Sequence, residues 1–362
     1  MTLHLCLIGD AASIHLRRWA EAMVERGFRV SVVSTTAQEI EGARVIAMGP
    51  VRHGHQWFLR LPALRRVIRA LAPDIVHAHY ITSYGMWGAA CGRRPLVLTA
   101  WGTDILVTPH RNTVLKALTG WTLARAALIT ADSRDVLAEI RGYKPRADLE
   151  EIFWGADTER FRPRERLRGP GFHIASLRAW EPNYCIDVVV RAFAQFVEER
   201  PASGAMLHLF GGGSQAAMLR ELASHLGVTG QVMWHGWLAP EVLAERLAAC
   251  DLSVTVPESD ATSVSLLESM ACGLPVIASD LPANRQWVDA GGGHLVAAGD
   301  AGALAMAMCT EFDDASMRRR QGAFNRMRIE ELGSTRSQMD RMAELYRAIR
   351  SAPLQTVALT NT

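Results

Sequence analysis

Short apolar runs alternate with longer amphipathic stretches along nearly the whole chain, and the alternation runs through twice. The first series predicts strands at Leu3–Gly9, Arg29–Thr35, Arg44–Met48, Asp74–His79, Leu96–Trp101, Ala127–Ala131 and Glu151–Trp154, with helices such as Ile14–Arg26 and Leu61–Leu71 between them. Continuous apolar runs suit strands buried on both faces, and intervening helices require parallel crossovers. The segment 160–171 (RFRPRERLRGPG) is rich in Pro, Gly and Arg and lacks hydrophobic periodicity, so it reads as a linker. The pattern then restarts, with strands at His173–Leu177, Met206–Phe210, Gln231–Trp234, Leu252–Val256, Pro275–Ala278 and His294–Val296. Helices fit Ile186–Glu199, Gln215–Leu226, Glu241–Ala249 and Val264–Cys272. Residues 314–350 read as one charged, almost continuous helix, and the tail from Ser351 has no pattern. The expected fold class is therefore α/β, with two doubly wound, Rossmann-like domains at 1–165 and 166–335. Residues 336–362 supply a C-terminal helix packing back toward the N-terminal domain, plus a tail. Ligands of open α/β sheets sit outside the carboxyl ends of the strands, so a cleft between two such sheets is the expected site.

Composition narrows the function. With 362 residues, 49% hydrophobic and 21% charged, the chain has ample core for two domains. It has no apolar stretch of about 18 residues to span a membrane. The start MTLHLCLIGD lacks a basic n-region and a cleavage site, and reads as a strand. Six scattered cysteines suit buried thiols in a reducing cytoplasm, the expected location. A net charge of +2 argues against nucleic acid as a partner. The charge is uneven: residues 1–165 hold 22 Lys+Arg against 16 Asp+Glu, and the rest 17 against 21. The excess is densest at Arg52, Arg60, Arg65, Arg66 and Arg69, where no acid intervenes. Residues 55–69 mix these arginines with aromatics and aliphatics, as interfacial helices do. They read either as a peripheral contact with anionic lipid at the inner membrane face or as a core-packed helix with an exposed Arg face.

The most informative stretch is 257–277, PESDATSVSLLESMACGLPVI. A strand ends at Pro257, a small polar loop follows, and a helix starts near Ser263. Gly273 and Pro275 stop that helix. Backbone N–H groups and the dipole at the helix start suit a diphosphate, which makes Thr262, Ser263 and Val264 candidate contacts. Glu268, inside the helix, can accept hydrogen bonds from ribose hydroxyls, and Asp260 in the loop can hold sugar hydroxyls.

This block resembles the signature of the large retaining glycosyltransferase family known as family 4, the bacterial mannosyl- and glucosyltransferase type. That signature is an acid, seven spacers and a Glu, then a small-Met-Ala-small-Gly-x-Pro-Val-Ile run. Asp260 and Glu268 have the spacing, and Met270 to Ile277 match the run, although the first acid is usually Glu. The resemblance covers nearly the whole chain and implies the GT-B architecture, a UDP- or GDP-sugar donor and a saccharide or lipid-linked acceptor, as in envelope polysaccharide assembly. It implies that Arg178, at a strand end, binds phosphate. A Lys usual six residues later is Tyr184 here, leaving one phosphate charge short unless a cation such as Arg285 reaches in. Gly211-Gly212-Gly213 resembles the Gly-rich turn near the nucleotide, with Gly212 as its candidate contact. Gly236-Trp237-Leu238 resembles the base-holding segment, where Trp237 either packs on the base or fills core. Gly155-Ala156-Asp157 resembles the hinge signature, with Trp154 in place of its Asn.

The N-terminal half matches more loosely. Gly9 to Ser13 resembles a Gly-rich loop, and His15 at the next helix start either contacts acceptor or donor sugar or is solvated. A strand end that often carries His-Gly is Trp101-Gly102 here, with Trp101 in the His position. Asp104 then becomes the candidate for orienting or deprotonating the acceptor hydroxyl. His79 and His77 are rivals; they share one face of a strand, a spacing that suits either a metal pair or cleft-lining histidines. The resemblance implies front-face attack in which the leaving phosphate takes the acceptor proton, so the enzyme's part is positioning and charge stabilisation. No Asp-x-Asp lies in a suitable loop, and Asp313-Asp314 looks like helix N-cap chemistry, so no metal and no cofactor are expected. Two rival readings are a degenerate partner subunit that binds without transferring, given Tyr184, Trp101 and Trp154, and a nucleotide-sugar epimerase.

Overall fold

The computed structural model describes residues 2–164 and 170–351. The patternless tail from residue 352, and residues 165–169 of the Pro/Gly/Arg-rich segment, lie outside the described residues. The chain divides into two compact units, residues 1–152 with 338–362 and residues 153–337. The division falls at Ile152, before the segment 160–171 that composition marks as a linker. Ala156 and Phe161 are already buried in the second unit's core, so that segment belongs to the second unit.

The first unit holds seven strands, all parallel: β1 His4–Ile8, β2 Arg29–Ser34, β3 Ala43–Ala47, β4 Ile75–His79, β5 Leu96–Ala100, β6 Leu128–Ala131 and β7 Asp148–Glu151, in the spatial order β3-β2-β1-β4-β5-β6-β7. Its helices are α1 Ile14–Glu25, α2 His55–Leu59, α3 Leu61–Leu71, α4 Met86–Ala90, α5 Thr103–Leu106, α6 Thr113–Leu123 and α7 Arg134–Gly142. The last strand corrects the sequence expectation of Glu151–Trp154. β7 is an edge strand of sequence DLEE with no apolar run, and the buried Ile152 and Phe153 that drew the expectation follow it.

The second unit has six parallel strands: β8 His173–Leu177, β9 Met206–Phe210, β10 Val232–Gly236, β11 Leu252–Thr255, β12 Val276–Ser279 and β13 Gly293–Val296, ordered β10-β9-β8-β11-β12-β13. Its helices are α8 Ile186–Glu199, α9 Ala216–His225, α10 Pro240–Ala248, α11 Val264–Ala271, α12 Pro282–Arg285, α13 Ala301–Asp313 and α14 Ala315–Leu332. Apolar cores cover both faces of the sheet. Ile174, Leu207, Leu209 and Val254 pack on α8 and α13, while Ala175, Phe210 and Val276 pack on α10 and α11. Each sheet reverses its winding in the middle, at β1/β4 and at β8/β11. All six cysteines are buried free thiols.

The expected single helix over 314–350 is two, α14 and α15 Thr335–Ser351. The break has a cause. Ala156 N–H donates to Gly333 O at 2.8 Å, and Thr335 N–H donates to Ala156 O at 2.9 Å. Gly155, with φ +70°, lies so close that a Cβ there would sit 2.5 Å from Thr335 N. Asp314 does cap α14, accepting from Met317 N–H at 2.7 Å, and Asp313 pairs with Arg200. From Gln338 onward α15 belongs to the first unit, where Met339, Met342, Ala343 and Tyr346 are buried.

Candidate active site

In the second unit the predicted donor residues converge at the carboxyl ends of β8, β9, β10 and β11. β8 ends at Leu177, and the Arg178 amide still donates to Phe210 O on β9. The guanidinium of Arg178, with only 9% of its side chain exposed, turns toward the start of α11. One Nη donates to Asp260 Oδ2 and the other to Ser263 Oγ, and also to Ser265 Oγ at 3.1 Å. Tyr184 lies flat against it, with its ring centroid 4.4 Å from Arg178 Cζ. Two bonds fix Tyr184 there: Asn183 Nδ2 donates to Ser259 O and Glu258 N–H donates to Asn183 O, both at 2.9 Å.

Helix α11 is built as its sequence demands. Ser263 is its N-cap, with Oγ accepting from Leu266 N–H at 3.3 Å. At the other end Gly273 adopts φ +73°, and its N–H reaches Met270 O while Leu274 N–H reaches Ser269 O. That is the paired-bond stop favoured by a left-handed Gly. Eight residues are enough to leave first-turn amides without intrahelical carbonyls. Thr262 is held by Trp287 Nε1 at 3.3 Å, Val264 is the first helical residue, and Glu268 is buried to 6% exposure. The glycine turn after β9 is a packing requirement. A Cβ on Gly211 or Gly213 would lie 2.4 Å from Arg178 O or Trp180 O respectively. A Cβ on Gly212 would lie 2.9 Å from Trp237 Nε1. Trp237 is 76% exposed, which excludes the core-filling alternative. Arg285, the sequence's candidate second cation, is held by Asp280 through two bonds of 2.6 and 2.9 Å.

In the first unit, His15, His79 and Trp101 come together at the β1/β4 reversal, with His15 edge-on to Trp101 at 5.6 Å and His79 to Trp101 at 6.1 Å. Burial pushes His79 down to about 3, helped by His15, and His15 down to about 4, helped by Arg18. Both imidazoles are therefore neutral at pH 7. His77 belongs to a buried chain instead. Trp19 Nε1 donates to Tyr346 Oη at 2.9 Å, Tyr346 meets His77 Nδ1 at 2.5 Å, His77 Nε2 meets Thr99 Oγ1 at 2.6 Å, and Thr99 meets Thr130 at 2.5 Å. The indole only donates, so the Tyr346 hydroxyl accepts from Trp19. Asp104 is fully buried, with Oδ2 accepting from Ile81 N–H at 2.6 Å and Oδ1 from Trp101 N–H at 2.9 Å. Both oxygens accept backbone N–H groups and so tie together the loops after β4 and β5. Among the described residues, no group of three or more His, Cys, Asp or Glu could hold a metal ion.

Two family models match in tandem, one described as glycosyl transferase 4-like over residues 4–133 and one as glycosyl transferases group 1 over residues 157–328. The chain belongs to the family-4-type glycosyltransferases of GT-B fold. Among curated relatives, the D-inositol 3-phosphate glycosyltransferase of Rhodococcus erythropolis is 29% identical over 240 residues, 58% of this chain and 52% of that protein. The chain thus spans about half the length of the curated relatives it matches first. The GDP-mannose-dependent alpha-(1-6)-phosphatidylinositol monomannoside mannosyltransferase of Mycobacterium tuberculosis is 27% identical over 270 residues, 66% of this chain and 68% of that protein. A solved structure of Anabaena HepE in complex with UDP superposes with a TM-score of 0.81 at 18% identity, covering 96% of this chain and all of that one. At that identity the likeness shows the fold.

For this glycosyltransferase, the structure gathers Arg178, Gly212, Trp237, Asp260, Thr262, Ser263, Val264 and Glu268 around one set of strand ends, and His15 and His79 around another. The sequence reading missed Ser265, which sits two residues after the cap and shares Arg178. It also missed the Tyr184 stack and the Trp19–Tyr346–His77 chain; of these, only Tyr184 carried a local signal, as a departure from the family pattern. Burial raises the Asp104 carboxyl to about 6, against the opposing pull of its backbone hydrogen bonds. A raised native value means that its stabilising contribution is complete below the ordinary carboxylate range and is lost as pH rises through about 6. Asp104→Asn should flatten that loss. In urea unfolding, the variant's midpoint should therefore change less than the wild type's between pH 4 and pH 8. An equal change in both proteins would contradict the burial of an ionisable group at this position.

Proposed function

We propose that this chain transfers a sugar from a UDP- or GDP-sugar to a hydroxyl of a saccharide or lipid-linked acceptor, with retention of configuration and without a metal ion. The observation that carries the reading is the set of Arg178, Ser263, Ser265, Asp260 and Glu268 around the first turn of α11, at the β8/β11 reversal where open α/β sheets take ligands. The diphosphate lies at the helix start with Arg178, the ribose hydroxyls reach Glu268, and the base lies on Trp237. In the transfer, the bond from the anomeric carbon to the phosphate oxygen breaks as the acceptor oxygen bonds that carbon. The leaving phosphate takes the acceptor proton, which fits a first unit whose histidines are neutral and whose Asp104 is occupied. HepE, solved with UDP and with UDP-glucose, and the GDP-mannose-dependent relative set the choice of nucleotides to test.

Thermal unfolding with UDP, GDP, ADP and the corresponding sugars tests the donor site. A nucleotide at about a hundred times its dissociation constant should add about 2.7 kcal/mol, a rise of roughly 5–11 °C in Tm for units of this size. The shift should persist in EDTA and fall away in Glu268→Gln. No shift with any nucleotide would favour the degenerate-subunit reading instead.

The acceptor side carries a second proposal, peripheral docking on anionic lipid through α2 and α3. Trp57, whose ring packs on Trp87 and Tyr84 at 4.7 and 4.9 Å, is core, but Phe58 and Leu59 are 53% and 72% exposed. Arg52, Arg66 and Arg69 are exposed beside them, whereas Arg60 and Arg65 also donate to backbone carbonyls. Among the described residues no helix is long and apolar enough to cross a membrane. Replacing Phe58 and Leu59 with Ser should weaken sedimentation with phosphatidylserine vesicles by about tenfold or more. Equal sedimentation of both proteins would exclude this surface.

A further inference from the structure

The binding groups of the candidate donor site are already bound to one another. Arg178, the cation aimed at the start of α11, gives one Nη to Asp260 and the other to Ser263 and Ser265. Its Nε has no partner among the described residues. Its flat face is closed by Tyr184, an uncharged ring where the family pattern has a lysine. Arg285, at the end of α12, is engaged with Asp280. A phosphate approaching the helix therefore meets a guanidinium whose charge is offset by a carboxylate in direct contact. Helix-terminal amides remain, but the strong bidentate partner is taken.

A diphosphate gains the full charge of Arg178 by displacing Asp260 from its Nη. The displaced carboxylate then needs donors of its own, since an unpaired, partly buried charge is costly. Sugar hydroxyls are such donors; a nucleoside diphosphate without its sugar brings none to that position. We propose that Asp260 is a specificity-determining residue that occupies Arg178 until donor-sugar hydroxyls draw it away, so that the site favours nucleotide-sugar over the nucleoside diphosphate product. Tyr184 takes part by holding the guanidinium in the plane that both acceptors share without adding the charge that would let phosphate compete. The proposal rests on the donor-site reading above.

Calorimetric titration of the full chain with UDP, UDP-glucose, GDP and GDP-mannose tests it, using wild type, Asp260→Asn, Tyr184→Lys and Arg178→Ala. Wild type should bind the sugar form of its nucleotide about tenfold or more tighter than the bare diphosphate. Asp260→Asn should tighten the bare diphosphate by about tenfold or more and close that gap, because a neutral amide competes poorly with phosphate for Arg178. Tyr184→Lys, which keeps Asp260, should tighten both forms. Unchanged or weaker diphosphate binding in Asp260→Asn, with the loss in Arg178→Ala intact, would overturn the competition and leave the donor site standing. Nucleotide binding that ignores Arg178→Ala, or that is absent from every protein, would overturn both.

Discussion

A parallel sheet can be entered by a ligand only where its loops part, and in this protein that happens where the winding reverses. Strands buried on both faces leave no room at their sides, since helices cover them. At β8/β11 the connections leave in opposite directions, and the loop after β8 and the start of α11 are free to face a common space. Arg178 directly follows β8 in that space, and Ser263 caps the start of α11. The glycine turn after β9 exists to let this happen: at Gly211 and Gly213 any side chain would meet the backbone of residues 178–180. The same constraint in the first unit brings together the end of β4, the end of β5 and the start of α1, and with them His79, Trp101 and His15.

The two sets of residues solve opposite electrostatic problems. Around Arg178, charge is present and compensated, through Asp260 and the serine hydroxyls of the cap. Around His79, charge is excluded, because burial keeps both imidazoles neutral and Asp104 spends its oxygens on backbone amides.

The strands were legible because parallel, two-sided burial writes itself as apolar runs; β4, β8 and β11 are all such runs. β7 was not, since an edge strand of sequence DLEE owes its place to backbone pairing with β6 and has no burial pattern to leave. The break at Gly333 was hidden because its cause, the backbone of Gly155 and Ala156, is remote in sequence. Within the site, positions were readable and interactions were not. Arg178, Asp260 and Glu268 were picked out by the match to the family signature, but that Arg178 and Asp260 bind each other, with Tyr184 laid over Arg178, depends on the loop 181–184 being tied to 258–259. The partners of Asp104 were hidden for a related reason, since only the fold brings Ile81 N–H to an acid three residues past a strand end.

Hydrogen exchange of the full chain, with and without UDP-glucose or GDP-mannose at saturating concentration, tests the central claim most directly, because it reports where a nucleotide-sugar sits without assuming a reaction. The account predicts slowed exchange in residues 178–184 and 257–268 of the second unit with at least one of the two donors, and loss of that protection in Arg178→Ala. Slowed exchange confined to other strand ends, or protection that survives the substitution, would contradict it.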